Sequence, residues 1–152
     1  MIPEFRDNVL PEGIHDCTWE ELEERFGRFQ RSDRRISLTR RLQQYIEEAR
    51  RSGVAVAVII NGSYTTAKEQ PSDIDLVLVL RPDFDPSAEL RPLEFNVQDR
   101  RTVRRNYRFD VRAAAEGSEE YQRYIDDFSR VKPNDPGLRT SQFRKVLLRV
   151  AL

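Results

Sequence analysis

The sequence predicts a mixed α/β fold, and two buried strands interleaved with amphipathic helices carry that prediction. Segments 54–60 and 74–80 are short, β-branched and apolar on both faces, which is typical of strands covered by helices on each side. A long helical pattern precedes the first segment, and further helical patterns follow the second. This alternation favours a mixed β-sheet flanked by helices, with additional helices at the N-terminus.

Length and composition predict one cytoplasmic domain and exclude several classes of protein. A chain of 152 residues fits a single core, and no secretory signal is evident. The longest apolar run, 54–60, is far shorter than the roughly 20 residues of a membrane span. One cysteine and one histidine leave no internal disulfide and no zinc cluster. The 26 basic and 26 acidic residues argue against a nucleic-acid coat over the whole surface, although a local basic patch stays open.

The N-terminal elements form an expected helical extension, residues 1–52. After an irregular lead-in at 10–13, Thr18 and Glu21 form a capping box that predicts a short helix ending at Gly27. A helix over 33–51 follows, with Gly53 as its C-terminal glycine. Its expected buried stripe repeats every three or four residues, with arginines on the other face. The stripe consists of Ile36, Leu38, Leu42, Tyr45, Ile46 and Ala49.

The remaining elements divide into a core, 53–117, and a C-terminal helix and strand, 118–152. After residue 80 the patterns predict a helix near 97–106, a strand at 108–114, a helix at 119–131, a turn at 132–137 and a closing strand at 145–152. No repeat and no domain boundary interrupts this order. The sequence therefore predicts one sheet built from separated strands.

Gly62 and Ser63 directly follow the first buried strand. A glycine at the end of a strand lets the chain turn tightly and approach a ligand. The serine adds a hydroxyl and a backbone N–H, the donors that a phosphate requires, particularly where a helix begins near Tyr64. The pair predicts a phosphate-binding turn.

Two aspartates, Asp73 and Asp75, lead into the second buried strand. Two residues apart in a strand, they project to the same face, where paired carboxylates repel each other unless a cation lies between them. Oxygen ligands favour Mg²⁺ or Mn²⁺. Solvated acids at the entrance of a strand are the alternative, but a buried strand has little reason to begin with unpaired charges.

Asp110 lies between apolar residues in the third predicted strand and is a candidate third carboxylate. The competing interpretation is a salt bridge to Arg108 or Arg112 on an exposed face. Asp110 lies in the next predicted strand after the paired aspartates, which favours a role in the same site.

In order, Gly62-Ser63, the pair Asp73 and Asp75, and Asp110 resemble the signature of the nucleotidyltransferase superfold of DNA polymerase beta type, which includes minimal bacterial nucleotidyltransferases. This resemblance covers residues 54–114. The lead at 10–15 and the terminal strand also resemble a smaller bacterial group of this superfold whose function is not known.

The resemblance implies a fold, a reaction and a set of ligands. Ser63 would hold a triphosphate, while Asp73, Asp75 and Asp110 would hold two Mg²⁺ (or Mn²⁺) ions. The implied reaction transfers a nucleotidyl group, with adenylyl expected, from a nucleoside triphosphate such as ATP to a hydroxyl on a protein or RNA. Pyrophosphate leaves, and Asp110 would act near the attacking oxygen as a base or metal ligand.

The sequence departs from the minimal enzymes after the Gly-Ser pair. Those enzymes have a glycine about four residues later, where this chain has Ala67 or Lys68. Lys68 is a candidate phosphate contact, although a solvated loop lysine is the simpler interpretation. Only a helix and a strand are predicted after residue 114, so recognition of the base is expected from the N-terminal helices or from a partner subunit, in a homodimer or hetero-complex, or is absent.

Two further classes of function stay open. The chain could be a non-catalytic binding partner, antitoxin-like or part of a defence module, or a basic-patch RNA-binding module. The patches in question are the arginines at 100–105 and at 34–41, for which solvated helix faces paired with nearby acids are the simpler interpretation. His15 is expected to form a structural hydrogen bond, and Cys17 to be a small packed residue.

Overall fold

A computed structural model describes residues 2–4, 13–27, 33–65, 71, 74–129 and 146–152. The strands are β1 (Gly13–Cys17), β2 (Ala55–Asn61), β3 (Asp75–Leu80), β4 (Asp110–Ala115) and β5 (Val146–Ala151). The helices are α1 (Trp19–Leu22), α2 (Asp33–Ser52), α3 (Pro92–Gln98), α4 (Arg100–Tyr107) and α5 (Glu119–Ser129). A π-helical turn, Glu23–Gly27, continues α1, and a 3-10 turn, Ser63–Thr65, follows β2. No helix in these described ranges has the length and apolar character needed to cross a membrane.

The five strands form one mixed sheet in the order β1-β5-β2-β3-β4. β1 runs parallel to β5 and β3 runs parallel to β4, whereas β2 is antiparallel to both of its neighbours. The predicted mixed α/β class, with helices flanking the sheet, is confirmed.

Alternation along the central strands divides the core into two layers. Val58, Ile60, Leu76 and Leu78 belong to the larger layer, which includes buried side chains of α2, α3 and α4. The opposite layer joins Ala57, Ile59, Val77, Val79 and Leu147 to Ile125 and Phe128 of α5. Both faces of β2 and β3 are therefore covered, which is the physical reason for their continuous apolar sequences.

Three elements differ from the predictions by more than a one-residue shift of a boundary. The sequence predicts an irregular lead-in at 10–13 and no strand at 14–17, whereas β1 forms there, because most of this edge strand is exposed and lacks an alternating apolar pattern. One helix is predicted near 97–106, but α3 and α4 meet at Asp99, whose extended backbone and side chain cap α4. β4 begins at Asp110 rather than 108, because Arg108 adopts a left-handed conformation that ends α4. The turn predicted at 132–137 lies outside the described residues.

The buried face of α2 differs from the predicted stripe by one residue at its start. Ile36 is 49% exposed, whereas Arg35, which the sequence placed on the solvated face, is fully buried. The other predicted members of the stripe are buried, together with Thr39 and Ser52. The helix is therefore rotated so that a guanidinium, rather than an isoleucine, faces the interior near its N-terminus.

Candidate functional site

Three polar residues lie side by side across three neighbouring strands. Asn61 of β2 is the register partner of Asp75 in β3, and Asp75 is the register partner of Asp110 in β4. Register partners project their side chains to the same face of a sheet, so the three form a row. The row is on the face covered by α5, because Val77, two residues after Asp75, and Phe128, which accepts a hydrogen bond from Asn61, both belong to the α5 layer. The structure thus brings together two of the predicted aspartates, Asp75 and Asp110.

The row lies at the end of the sheet where β2 finishes and where β3 and β4 begin. Gly62 follows with a φ of 98°, a conformation that favours glycine because other residues have a Cβ. Ser63 then opens the 3-10 turn, in which the Thr65 N–H donates to the Gly62 carbonyl at 3.2 Å. The predicted Gly-Ser turn therefore lies next to the row. Asp73 and Lys68 lie outside the described residues.

Arg35 holds this turn from the opposite layer. Its Nη1 donates to the Tyr64 carbonyl at 2.7 Å and to the Phe26 carbonyl at 3.3 Å. The rings of Phe26 and Tyr64 lie 5.9 and 5.4 Å from the guanidinium carbon. Burial lowers the pKa of Arg35 to about 10, which still leaves the side chain protonated at neutral pH. A buried cation thus fixes the backbone next to Ser63.

Two further contacts from α2 hold the chain on either side of the candidate site, at Tyr64 and at Pro71. The hydroxyls of Thr39 and Tyr64 share a hydrogen bond of 2.6 Å, and burial raises the pKa of Tyr64 to about 12. Arg34 donates from Nε to the Pro71 carbonyl at 2.9 Å, on the approach to β3. None of these contacts was predicted from the sequence. A helical stripe started at Arg35 rather than Ile36 would have predicted the burial of Arg35.

Asp110 is paired with a residue that the sequence analysis did not consider as its partner. Nε and Nη2 of Arg100 donate to Oδ1 of Asp110 at 3.1 and 2.8 Å. The salt bridge predicted as the alternative role of Asp110 is therefore found, but its partner is Arg100 rather than Arg108 or Arg112. Arg112 instead pairs with Asp127 at 3.6 Å, and Arg108 is the residue that terminates α4. The ion pair holds a positive charge at one end of the row.

Asn61 adds an unexpected oxygen to the row. Its side chain is only 5% exposed, and Nδ2 donates to the Phe128 carbonyl at 3.0 Å near the end of α5. Its Oδ1 is buried and has no hydrogen-bond partner within the described part of the chain. Buried polar atoms are nearly always satisfied, so this oxygen marks a position where a ligand or water would be favoured. The sequence signal was a polar residue at the end of an otherwise apolar strand.

The donor chemistry of the row fits a hard divalent cation. Adjacent strands lie about 4.8 Å apart, which places each carboxylate beside the next oxygen donor. An amide oxygen and two carboxylates are ligands that suit Mg²⁺ or Mn²⁺. Within the described ranges no cluster of three acids, histidines or cysteines occurs, so the predicted three-aspartate set depends on Asp73.

The two other reactive side chains lie apart from the row. Burial raises the pKa of the Cys17 thiol to about 12, consistent with the predicted packed residue. The structural hydrogen bond predicted for His15 is not found at Nε2, which has no partner among the residues described.

Comparison with known families matches residues 3–142 to the model of a family of unknown function, DUF6932. The chain belongs to that family. The matched region contains the whole row, the Gly62-Ser63 turn and the arginines of α2 and α4. No curated protein and no solved structure matches the chain.

Proposed function

We propose that this member of DUF6932 transfers a nucleotidyl group, with adenylyl expected, from a nucleoside triphosphate to a hydroxyl on an acceptor, in a reaction that requires Mg²⁺. The observation that carries the proposal is the alignment of Asp75 with Asp110 across two parallel strands, beside the Gly62-Ser63 turn. This arrangement supports the proposal because nucleotidyl transfer needs carboxylates gathered next to a site that holds a triphosphate.

The reaction divides among the residues according to their chemistry. The acceptor oxygen forms a bond to the α-phosphorus, the bond from that phosphorus to the bridging oxygen breaks, and pyrophosphate leaves with the electron pair. The acceptor proton would pass to Oδ2 of Asp110 where Asp110 acts as the base, since Oδ1 accepts both hydrogen bonds from Arg100, or to solvent water where Oδ2 binds a cation. The Gly62-Ser63 turn would orient the triphosphate, and Lys68 is a further candidate for this contact.

Divalent cations would be held by Asp75 and Asp110, with Asp73 as the expected third carboxylate. When bound, they would neutralise the phosphates and polarise the reacting oxygens. Asn61 would contribute a neutral oxygen beside Asp75. Arg35 would act at a distance, because it fixes the Tyr64 carbonyl and thereby the backbone of the turn.

The decisive experiment compares three Asp→Asn variants in an assay with α-labelled ATP, Mg²⁺ and extracts containing protein and RNA acceptors. Asp75→Asn and Asp110→Asn are expected to lower transfer at least about a hundredfold, in line with the loss of an electrostatic group at a reacting centre. Asp83→Asn is the matched control, because Asp83 is exposed beyond the other end of β3 and should leave transfer unchanged.

Two results would contradict the proposal. Absence of transfer and of ATP binding by the intact protein, measured by calorimetry with Mg²⁺ present, would overturn it. Equal transfer by Asp75→Asn and Asp83→Asn would also overturn it, because the row would then not be the reacting site. A tight complex with a second protein that survives Asp75→Asn, without transfer, would instead support the non-catalytic binding partner.

A further inference from the structure

The exposed face of α4 concentrates positive charge next to the candidate site. Arg100, Arg101, Arg104 and Arg105 are all exposed, whereas Thr102 and Val103 are buried and anchor the helix. Positions four apart lie on the same side of a helix, so the four arginines share one surface. Arg100 also contacts Asp110, so that this surface begins at the row.

Two neighbouring acids, Asp99 and Asp110, offset only part of the charge of this surface. Apart from Arg100, none of the four arginines forms an ion pair with a described carboxylate. The carboxylate of Asp99 accepts hydrogen bonds from the backbone and hydroxyl of Thr102, as the cap of α4. The predicted solvated helix face with Asp99 nearby is therefore found, since those hydrogen bonds, and to a lesser extent Arg101 and Arg105, lower the pKa of Asp99, with which neither arginine forms an ion pair.

The arrangement of the arginines is unfavourable for α4 alone. Arg100 and Arg101 lie in the first turn, at the positive end of the helix dipole, where the carboxylate of the capping Asp99 offsets only part of their charge. Two pairs of like charges are also separated by four residues, a spacing at which they repel each other. An anionic partner would relieve both effects, and guanidinium groups match phosphate oxygens with two parallel hydrogen bonds.

An aromatic ring lies one helical turn before α4. Phe95 of α3 is 46% exposed, and its carbonyl accepts a hydrogen bond from the Asp99 N–H at 2.9 Å. Exposed rings and exposed arginines on successive helices are the kinds of side chain that bind unpaired bases and their phosphates. The exposed face of α4 itself carries no large apolar residue, so positive charge rather than apolar area dominates it, which favours a polyanionic partner.

We propose that Phe95 and the arginine face of α4 bind single-stranded nucleic acid. The surface is inferred from its own geometry. Its contact with Asp110 through Arg100 then indicates that the nucleic acid is the acceptor of the transfer, a step that rests on the proposed function. A strand along α4 would bring a terminal hydroxyl towards the row.

The test measures binding of fluorescent 20-nucleotide single strands, RNA and DNA of the same sequence, to the full chain in EDTA. Arg104→Ala/Arg105→Ala is compared with Arg50→Ala/Arg51→Ala, a matched control because both pairs are exposed and lie in the last turn of a helix. The α4 variant is expected to reduce the slope of log affinity against log salt by about 1 to 1.5, as two phosphate contacts are lost, whereas the control keeps the slope of the natural chain.

A second pair of variants tests the ring. Phe95→Ala is expected to weaken binding at least about fivefold through the loss of base stacking. Leu93→Ala, which removes another exposed apolar side chain of α3, is expected to leave the affinity unchanged. The ratio of RNA to DNA affinity identifies which nucleic acid the surface prefers.

Three outcomes would overturn the proposal. They are equal effects of the two arginine pairs, equal effects of Phe95→Ala and Leu93→Ala, and competition by polyglutamate as effective as that by RNA, which would indicate an acidic protein partner. Binding in EDTA needs neither cation nor triphosphate. Loss of nucleic-acid binding by this surface can therefore be distinguished from loss of nucleotidyl transfer. If Asp75→Asn binds RNA normally and the natural chain shows no transfer, the surface stands and the proposed function fails.

Discussion

Arg100 places two N–H donors on a single oxygen of Asp110, with Nη2 at 2.8 Å and Nε at 3.1 Å. The pair joins the first turn of α4 to the first residue of β4. Asp110 therefore has a protein counter-charge at the position where the proposed function requires a divalent cation. A cation and Arg100 would compete for the same carboxylate.

Removal of Arg100 should strengthen cation binding. Arg100→Ala is expected to raise the affinity for Mn²⁺ by up to about fivefold, because a largely exposed ion pair contributes at most about 1 kcal/mol. Titration of Mn²⁺ by electron paramagnetic resonance measures this affinity directly. Arg101→Ala is the control, as its side chain has no ion pair with a described acid. An unchanged or lower affinity in Arg100→Ala would show that no competition occurs.

The unsatisfied oxygen of Asn61 predicts opposite effects of two substitutions on cation binding. Asn61→Ala should weaken Mn²⁺ binding by roughly tenfold through loss of an oxygen donor, which corresponds to about 1.4 kcal/mol. Asn61→Asp should strengthen binding, yet it should lower the melting temperature in EDTA, because a carboxylate oxygen would face the Phe128 carbonyl in place of Nδ2. If both variants bind Mn²⁺ as the natural chain does, Asn61 only caps α5.

The buried guanidinium of Arg35 should contribute strongly to stability. Arg35→Met leaves the Tyr64 and Phe26 carbonyls without these donors, at an expected cost of about 2–4 kcal/mol in the free energy of unfolding. Arg40→Met, on the exposed side of the same helix, should change it by no more than about 0.5 kcal/mol. Urea denaturation followed by circular dichroism measures both values, and similar values for the two variants would contradict the assigned role.

Gly27 is closely packed against Thr39, so that an added methyl group should be destabilising. A Cβ at Gly27 would lie 2.9 Å from Cγ2 of Thr39 and 3.1 Å from its Oγ1. Gly27→Ala should therefore lower the free energy of unfolding by about 1–3 kcal/mol. Adding Thr39→Ser, which removes Cγ2 but keeps the hydroxyl, should restore part of that loss. Simple additivity of the two changes in denaturation experiments would argue against the contact.

The Cys17 thiol should be unreactive in the folded protein. Burial raises its pKa from 9.0 to about 12, so the protonated thiol is favoured in the folded state and the thiolate is scarce at pH 8. Because the folded state disfavours the thiolate, the stability associated with the buried, protonated thiol is fully present below pH 9. It is lost as the pH rises towards 12. Alkylation by iodoacetamide, followed by mass spectrometry, should be slow for the folded chain and fast in urea. Equal rates would show an accessible thiol.

Much of the sheet and part of the candidate site could be predicted from local sequence. The continuous apolar runs of β2 and β3 indicate strands buried on both faces, since only covered strands lack a polar side. A charged residue at the start of such a strand is unusual, which identifies Asp75, whereas Asp110 is identified by its apolar neighbours in the following predicted strand. Gly62 could likewise be recognised, because a turn directly after a buried strand favours a residue without a Cβ.

Tertiary structure decided which of these residues meet. The register that aligns Asn61, Asp75 and Asp110 depends on strand pairing, which no local pattern encodes. The burial of Arg35 depends on carbonyls contributed by Phe26 and Tyr64, 9 and 29 residues away in the chain. The charge of a side chain indicates exposure in the sequence, but burial becomes favourable once the fold supplies hydrogen-bond acceptors, and those acceptors exist only after distant segments have packed together.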